Sequence, residues 1–217
     1  MPVPDSSALW LHQQGLLKNE LTSARDSSNT TALGAAIERA MASYEAYYSA
    51  RAESIHADPV RFFCAPCATP LERATQWMAG WRPSVFIHLL YSESGIRLQA
   101  QLNDLLNGVH SGDLGDLSPR QLGKVDEVQR RTIREEEEIS QEMGELQLGV
   151  GEGDWDLEEK VGTLETIIQK ADDLRLRTLK DIVDFLEPVQ VVDLLVAAAD
   201  FEIGMRCVSI DRNITGQ

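Results

Sequence analysis

The chain has 217 residues, enough for one sizeable core and tight for two. Its 35 acids against 20 bases leave a net charge of −15, a surface that repels phosphates and argues against unaided nucleic-acid binding. The 43% hydrophobic and 25% charged content is that of a globular chain. No apolar run reaches the roughly 18 residues of a membrane span. Met1–Trp10 has neither a basic nor an apolar leader segment, so an intracellular chain with reduced thiols is expected.

Apolar residues recur at helical spacing from the start. Leu9, Trp10, Leu16, Leu17 and Leu21 mark a first helix, which stops in the turn-forming cluster Asp26–Thr31. A second helix resumes at Leu33 and runs to about His56, with Leu33, Ile37, Ala40, Met41, Tyr44 and Tyr48 on one face. The stretch Phe62–Pro70 reads as a loop. Thr69-Pro70-Leu71-Glu72 is a capping box with proline at the first helical position, opening a helix expected to continue through Trp77 to Gly80. Arg82-Pro83-Ser84 opens the next helix, whose signal continues to Leu106.

A glycine-rich loop spans 109–117 and divides a helical half at 5–108 from one at 118–212. Ser118-Pro119-Arg120-Gln121 is a second capping box, starting a long helix through Val125, Val128, Ile133, Ile139, Met143 and Leu146. Its charge run, Arg134–Glu138, is expected to be a solvated face. Gly149–Gly153 is a hinge, and Asp154 is placed to cap a helix that ends at Glu187-Pro188. Val189–Val196 is apolar nearly all round, which predicts a central last helix or a buried strand; the alanines that follow favour helix. The expectation is a single all-α bundle of seven to nine helices over residues 1–217.

No phosphate loop, nucleophile elbow or His-Glu-x-x-His helix is present. Cys64 and Cys67 have the spacing of half a zinc site or a redox dithiol, but the only other thiol, Cys207, lies far away, and the setting is helical rather than βαβ. Packing as small hydrophobes is the favoured reading, with metal and redox roles left open. His88, in Val85–Leu90, reads as a core or edge histidine, with a metal or haem ligand as the alternative. No metal site is assigned.

Three stretches carry a family resemblance. The first is Thr69–Ser84, with Trp77, Gly80, Trp81, Arg82, Pro83 and Ser84 in a Trp-x-x-Gly-x-Arg-Pro-Ser element. The second is Asp116–Leu122 with Val125–Gln129 and Thr132–Glu137. The third is Ala171–Arg175, Thr178-Leu179 and Leu186–Gln190. In order and spacing they resemble the plant delay-of-germination, or seed dormancy control, domain, which also forms the C-terminal half of TGA-type bZIP transcription factors. Thr69, Pro70, Glu72, Ser118, Glu187 and Pro188 belong to the same motifs and are read as fold determinants; Arg82 is placed to pair with the acidic helices.

The resemblance implies a non-enzymatic regulatory protein, nuclear and/or cytoplasmic, acting by protein–protein contact in abscisic-acid-linked signalling or transcription. It implies type 2C protein phosphatases or bZIP factors as partners, and a homodimer as one form. Only Met1–Ser7 stand before it, so no direct DNA reading is expected, and no membrane association. In the dormancy group an N-terminal Asp-Ser-x-x-x-Trp pattern is implicated in phosphatase contact, and Asp5, Ser6 and Trp10 match it. An exposed Trp10 would suit an anchor; a buried one would staple the first helix to the bundle. The histidines tied to haem in that group fall near Glu202 and Arg206, neither of which supplies an imidazole, so no cofactor is expected by that route. A dimerising co-regulator of TGA type, or a bundle sensing haem or lipid, is the alternative.

Overall fold

A computed structural model describes residues 6–27, 29–66, 68–107, 111–150 and 156–215. The described residues form eight α-helices: α1 (Ser6–Asp26), α2 (Thr30–Ala57), α3 (Pro59–Cys64), α4 (Pro70–Thr75), α5 (Ser84–Leu106), α6 (Pro119–Val150), α7 (Leu157–Phe185) and α8 (Pro188–Thr215), with a 3₁₀ turn at Leu114–Asp116 before α6. The all-α expectation holds, and Val189–Val196 lies in a helix.

The boundaries follow local chemistry. Asn29 caps α2 by accepting from the Thr31 and Ala32 amides. Asp58 ends α2 and caps α3, with Pro59 at its first turn. Phe62, Phe63 and Cys64 therefore belong to a short helix rather than to a loop, and the loop begins at Ala65, in the left-handed region at φ 42°. The Thr69–Glu72 box forms in both directions, as does the Ser118–Gln121 box. Asp156 caps α7; Asp154, expected in that role, lies outside the described residues. Pro188 begins α8 where Glu187-Pro188 predicts a break.

Two long pairs set the frame: α6 lies along α7, and α1 along α8. Helix α2 packs on both α7 and α8, and α5 on α8, so the two sides of the 109–117 loop share a core. That core runs from Leu17, Leu21, Leu33 and Tyr44 through Ile87 and Leu90 to Leu179, Ile182, Val192 and Leu195. Each such side chain removed from water contributes about 1.5–3 kcal/mol. A second cluster joins Trp77 and Met78 to Ile139, Met143, Ile167 and Leu174. On α6, Val125 and Val128 face inward, whereas Leu122 and Ile133 stay exposed. The one charge in the Val189–Val196 run, Asp193, is buried but paired with Arg25 and Arg97 and accepts the Leu114 amide. This ties α1, α5 and the 3₁₀ turn to α8.

Candidate functional site

Helix α4 does not run to Gly80. It stops at Thr75, Gln76 is extended, and Trp77–Gly80 forms a tight two-residue turn closed by Trp77 N–H to Gly80 O (2.7 Å) and Gly80 N–H to Trp77 O (3.1 Å). Met78 and Ala79, at its centre, have φ of 45° and 57°. Left-handed backbone costs a non-glycine residue about 1–2 kcal/mol, so the turn needs external support.

Two arginines provide that support. Arg175, buried on α7, donates to the carbonyls of Trp77, Met78 (3.0 Å) and Trp81 (2.5 Å). Arg51, on α2, donates to the Ala79 carbonyl at 2.9 Å. Asp172 balances both: it accepts from Arg175 and takes Arg51 through two bonds of 2.7 and 3.0 Å. Burial pulls the Arg175 guanidinium below its ordinary value, with Asp172 opposing. At Arg51 burial acts in the same sense, but Tyr47 and Asp172 outweigh it and the value rises. Gly80 is dictated by this packing, because a Cβ there would lie 2.9 Å from the Arg175 guanidinium carbon.

The next corner is locked from α6. Glu136 is buried and accepts the Ser84 amide (2.7 Å) and hydroxyl (3.2 Å), capping α5 from another helix. Arg82 pairs with the same carboxylate at 3.3 Å, as its place beside the acidic helices predicts. Glu136 thus corrects the expectation that the whole 134–138 run is a solvated face; its neighbours Arg134, Glu137 and Glu138 do remain exposed. Trp77 donates through its indole N–H to Ser140 at 3.0 Å. The three motif stretches, far apart in sequence, therefore meet at one junction.

Beside that junction lies a cavity of about 500 Å³ between α1, α2, α3, α4, α5 and α8. Trp10 forms part of its wall. It is 8% exposed, stacks on Tyr47 with ring centroids 4.0 Å apart, and donates its indole N–H to Glu202 at 2.5 Å. Trp10 is thus the staple of α1 and not an exposed anchor. Burial pushes the Glu202 carboxyl up to about 7, against the lowering pull of the Trp10 hydrogen bond and of Arg51. Glu72, the capping-box acid, also accepts from Arg206 at 2.8 Å, tying α4 to α8. Glu202 and Arg206 are therefore wall residues of this cavity. A shallower groove between α1 and α8 is lined by Leu11, Leu16, Ile203 and Cys207, and Leu9 and Leu16 face outward along α1.

Of the remaining expected site residues, Asp5 lies outside the described residues, and Ser6 begins α1. Cys64 is exposed, which corrects the expectation that it packs as a hydrophobe, because it sits on the outer side of the short α3; Cys67 lies outside the described residues. His88 is exposed on α5 rather than held in the core. Among the described residues no group of three or more His, Cys, Asp or Glu is placed to hold a metal ion, and no helix is long and apolar enough to cross a membrane. Sequence reasoning missed Arg51, and it named Glu202 only as a position without the haem-linked imidazole, not as the partner of Trp10. A signal for Arg51 exists in its spacing, one turn after Tyr47 on a buried face; none marks Glu202.

Residues 13–92 match the family described as seed dormancy control. Over 181 residues the chain is 29% identical to the protein DOG1-like 2 of Arabidopsis thaliana, covering 75% of this chain and 71% of that one. Similarity to DOG1-like 4 of the same plant is also 29%, over 91% of this chain and 84% of the relative. The Arabidopsis transcription factor TGA2 is 25% identical over 92% of this chain, which spans 61% of that factor's length.

Proposed function

We propose that this chain, which belongs to the seed dormancy control family and is more distantly related to the TGA factors, is a non-catalytic plant regulatory protein that works by binding other proteins. The observation that carries the reading is the similarity to DOG1-like proteins along nearly the whole chain. The use of the motif residues supports it. Trp77, Gly80, Arg82, Ser84, Glu136, Asp172 and Arg175 are consumed in holding helices together, and none presents a paired nucleophile and base.

The finer reading is action in abscisic-acid-linked dormancy signalling, in the nucleus and/or cytoplasm, through a type 2C phosphatase. Trp10 fits that role indirectly: held inward by Tyr47 and Glu202, it orients α1 so that Leu9 and Leu16 face solvent at 61% and 53% exposure. Apolar side chains one helical repeat apart on a fixed helix suit a partner groove. The test is retention of purified type 2C phosphatases by the immobilised chain, with Leu9→Glu/Leu16→Glu alongside. Wild type should retain phosphatase and the double variant should lose at least about tenfold in affinity at unchanged melting temperature. No retention by wild type overturns the phosphatase reading.

The similarity to TGA2 over 92% of the chain favours a second reading, a dimerising co-regulator that reaches DNA through a bZIP partner. Light scattering and co-precipitation with a bZIP factor separate the two. A monomer that ignores bZIP factors removes the second.

A further inference from the structure

The cavity beside α3 shares Arg51, Arg82 and Arg175 with the helical lock and adds groups that the lock does not use, Arg61 among them. Seven aromatic side chains line it, along with five arginines and no lysine, in a chain whose net charge is −15. Its volume of about 500 Å³ falls within the roughly 300–1,000 Å³ of small-ligand sites, which combine apolar walls with a few orienting polar groups.

The walls have an inside and a mouth. Trp10, Tyr47 and Arg51 are buried or half-buried and already engaged with one another or with Glu202 and Asp172. Trp81 and Phe201 meet edge to face at 4.9 Å and present further ring surface. Arg61 and Arg82 are exposed and so mark the mouth. Arg82 is paired with Glu136 and Arg206 with Glu72, whereas the Arg61 guanidinium has no hydrogen-bond or ion-pair partner among the described residues.

A guanidinium binds a carboxylate through two parallel N–H donors, and ring walls favour a ring by offset and edge contacts that an alkyl chain does not make. Of the inner lining groups, Glu202 opposes a second carboxylate, and Arg51 and Arg175 are already taken by Asp172 and by backbone carbonyls, so an acid's charge is best met at the mouth.

We propose that this cavity binds a small aromatic carboxylate, its ring between Trp10, Trp81 and Phe201 and its carboxylate on Arg61. The site uses the Trp10 side of α1, whereas the surface invoked for protein partners is the outward side that carries Leu9 and Leu16.

Calorimetric titration of the full chain with three probes tests it: 1-naphthylacetate, 1-naphthylmethanol, which keeps the ring without the charge, and decanoate, which keeps the charge without the ring. Naphthylacetate should bind and quench tryptophan emission, with the other two at least about tenfold weaker. Arg61→Ala, at an exposed position, should weaken naphthylacetate about tenfold and leave naphthylmethanol binding and the melting temperature unchanged. Failure of naphthylacetate to bind overturns the proposal. So does decanoate binding as tightly as naphthylacetate, or Arg61→Ala having no effect on the aromatic acid.

Discussion

Two regions of one cavity wall bury ionisable groups in opposite ways. In the first, Arg51 and Arg175 both pair with Asp172 and spend further donors on the carbonyls of Trp77, Met78, Ala79 and Trp81. In the second, Glu202 has one neutral donor, the Trp10 indole, at 2.5 Å. The first arrangement gives each member several partners, and the loss of Asp172 would strand two guanidiniums at once. The second leaves a carboxyl whose charge is opposed by its surroundings, and its protonation changes near neutral pH. A buried charge with several partners fixes a shape; a half-buried carboxyl with a single neutral donor is held by that donor alone.

The largest expected effect comes from Arg175→Met. It removes one of the two arginine partners of Asp172 and the only donors given to the carbonyls of Met78 and Trp81, which should cost about 3–5 kcal/mol of unfolding free energy in urea. Arg175→Lys should rescue little, since an ammonium cannot fork to three carbonyls and a carboxylate. A loss below about 1 kcal/mol would rule out the lock. Glu136→Leu comes next, at about 2 kcal/mol, because the Ser84 amide and hydroxyl lose their buried acceptor.

Gly80→Ala should cost about 1–2 kcal/mol, since the added methyl meets the Arg175 guanidinium carbon at 2.9 Å. In the Arg175→Met background that contact is with a flexible thioether instead, so the two losses should sum to less than their separate values. Additive losses in the double variant would show that Gly80 answers to its own backbone and not to Arg175.

Much of this fold is legible in the sequence because helix boundaries are written locally. Thr69-Pro70-Leu71-Glu72, Ser118–Gln121 and Glu187-Pro188 each carry their own start or stop signal, and each acts where its chemistry says. The Trp77–Gly80 turn was not legible. Nothing within six residues prefers left-handed Met78 and Ala79 over another helical turn. The preference comes from Arg51 and Arg175, whose approach depends on tertiary packing. Glu136 was hidden for the same reason: in a run of four glutamates, only the rotation of α6 against Ser84 decides which one is buried. At the cavity, Trp10 and the motif residues were visible as residue types, whereas the pairing of Trp10 with Glu202 joins helices at opposite ends of the chain.

The smallest effect separates the two regions most sharply. Burial lifts the Glu202 carboxyl from its ordinary 4.5 to about 7, so the folded chain holds this proton more tightly than the unfolded one. The stability that the protonated carboxyl allows is fully present below about pH 4.5, drains away as the unfolded chain ionises between about pH 4.5 and 7, and is absent above. Glu202→Gln keeps an acceptor for the Trp10 indole and removes the charge. Because the side chain is only partly buried, the gain at pH 8 should be about 1 kcal/mol rather than the full linkage value, with no gain at pH 4. Urea titrations of both proteins across that range measure the difference directly, since every other titrating group is common to the pair. A gain that is flat with pH would mean that the fold holds the Glu202 proton no more tightly than the unfolded chain does, and that burial does not oppose its charge.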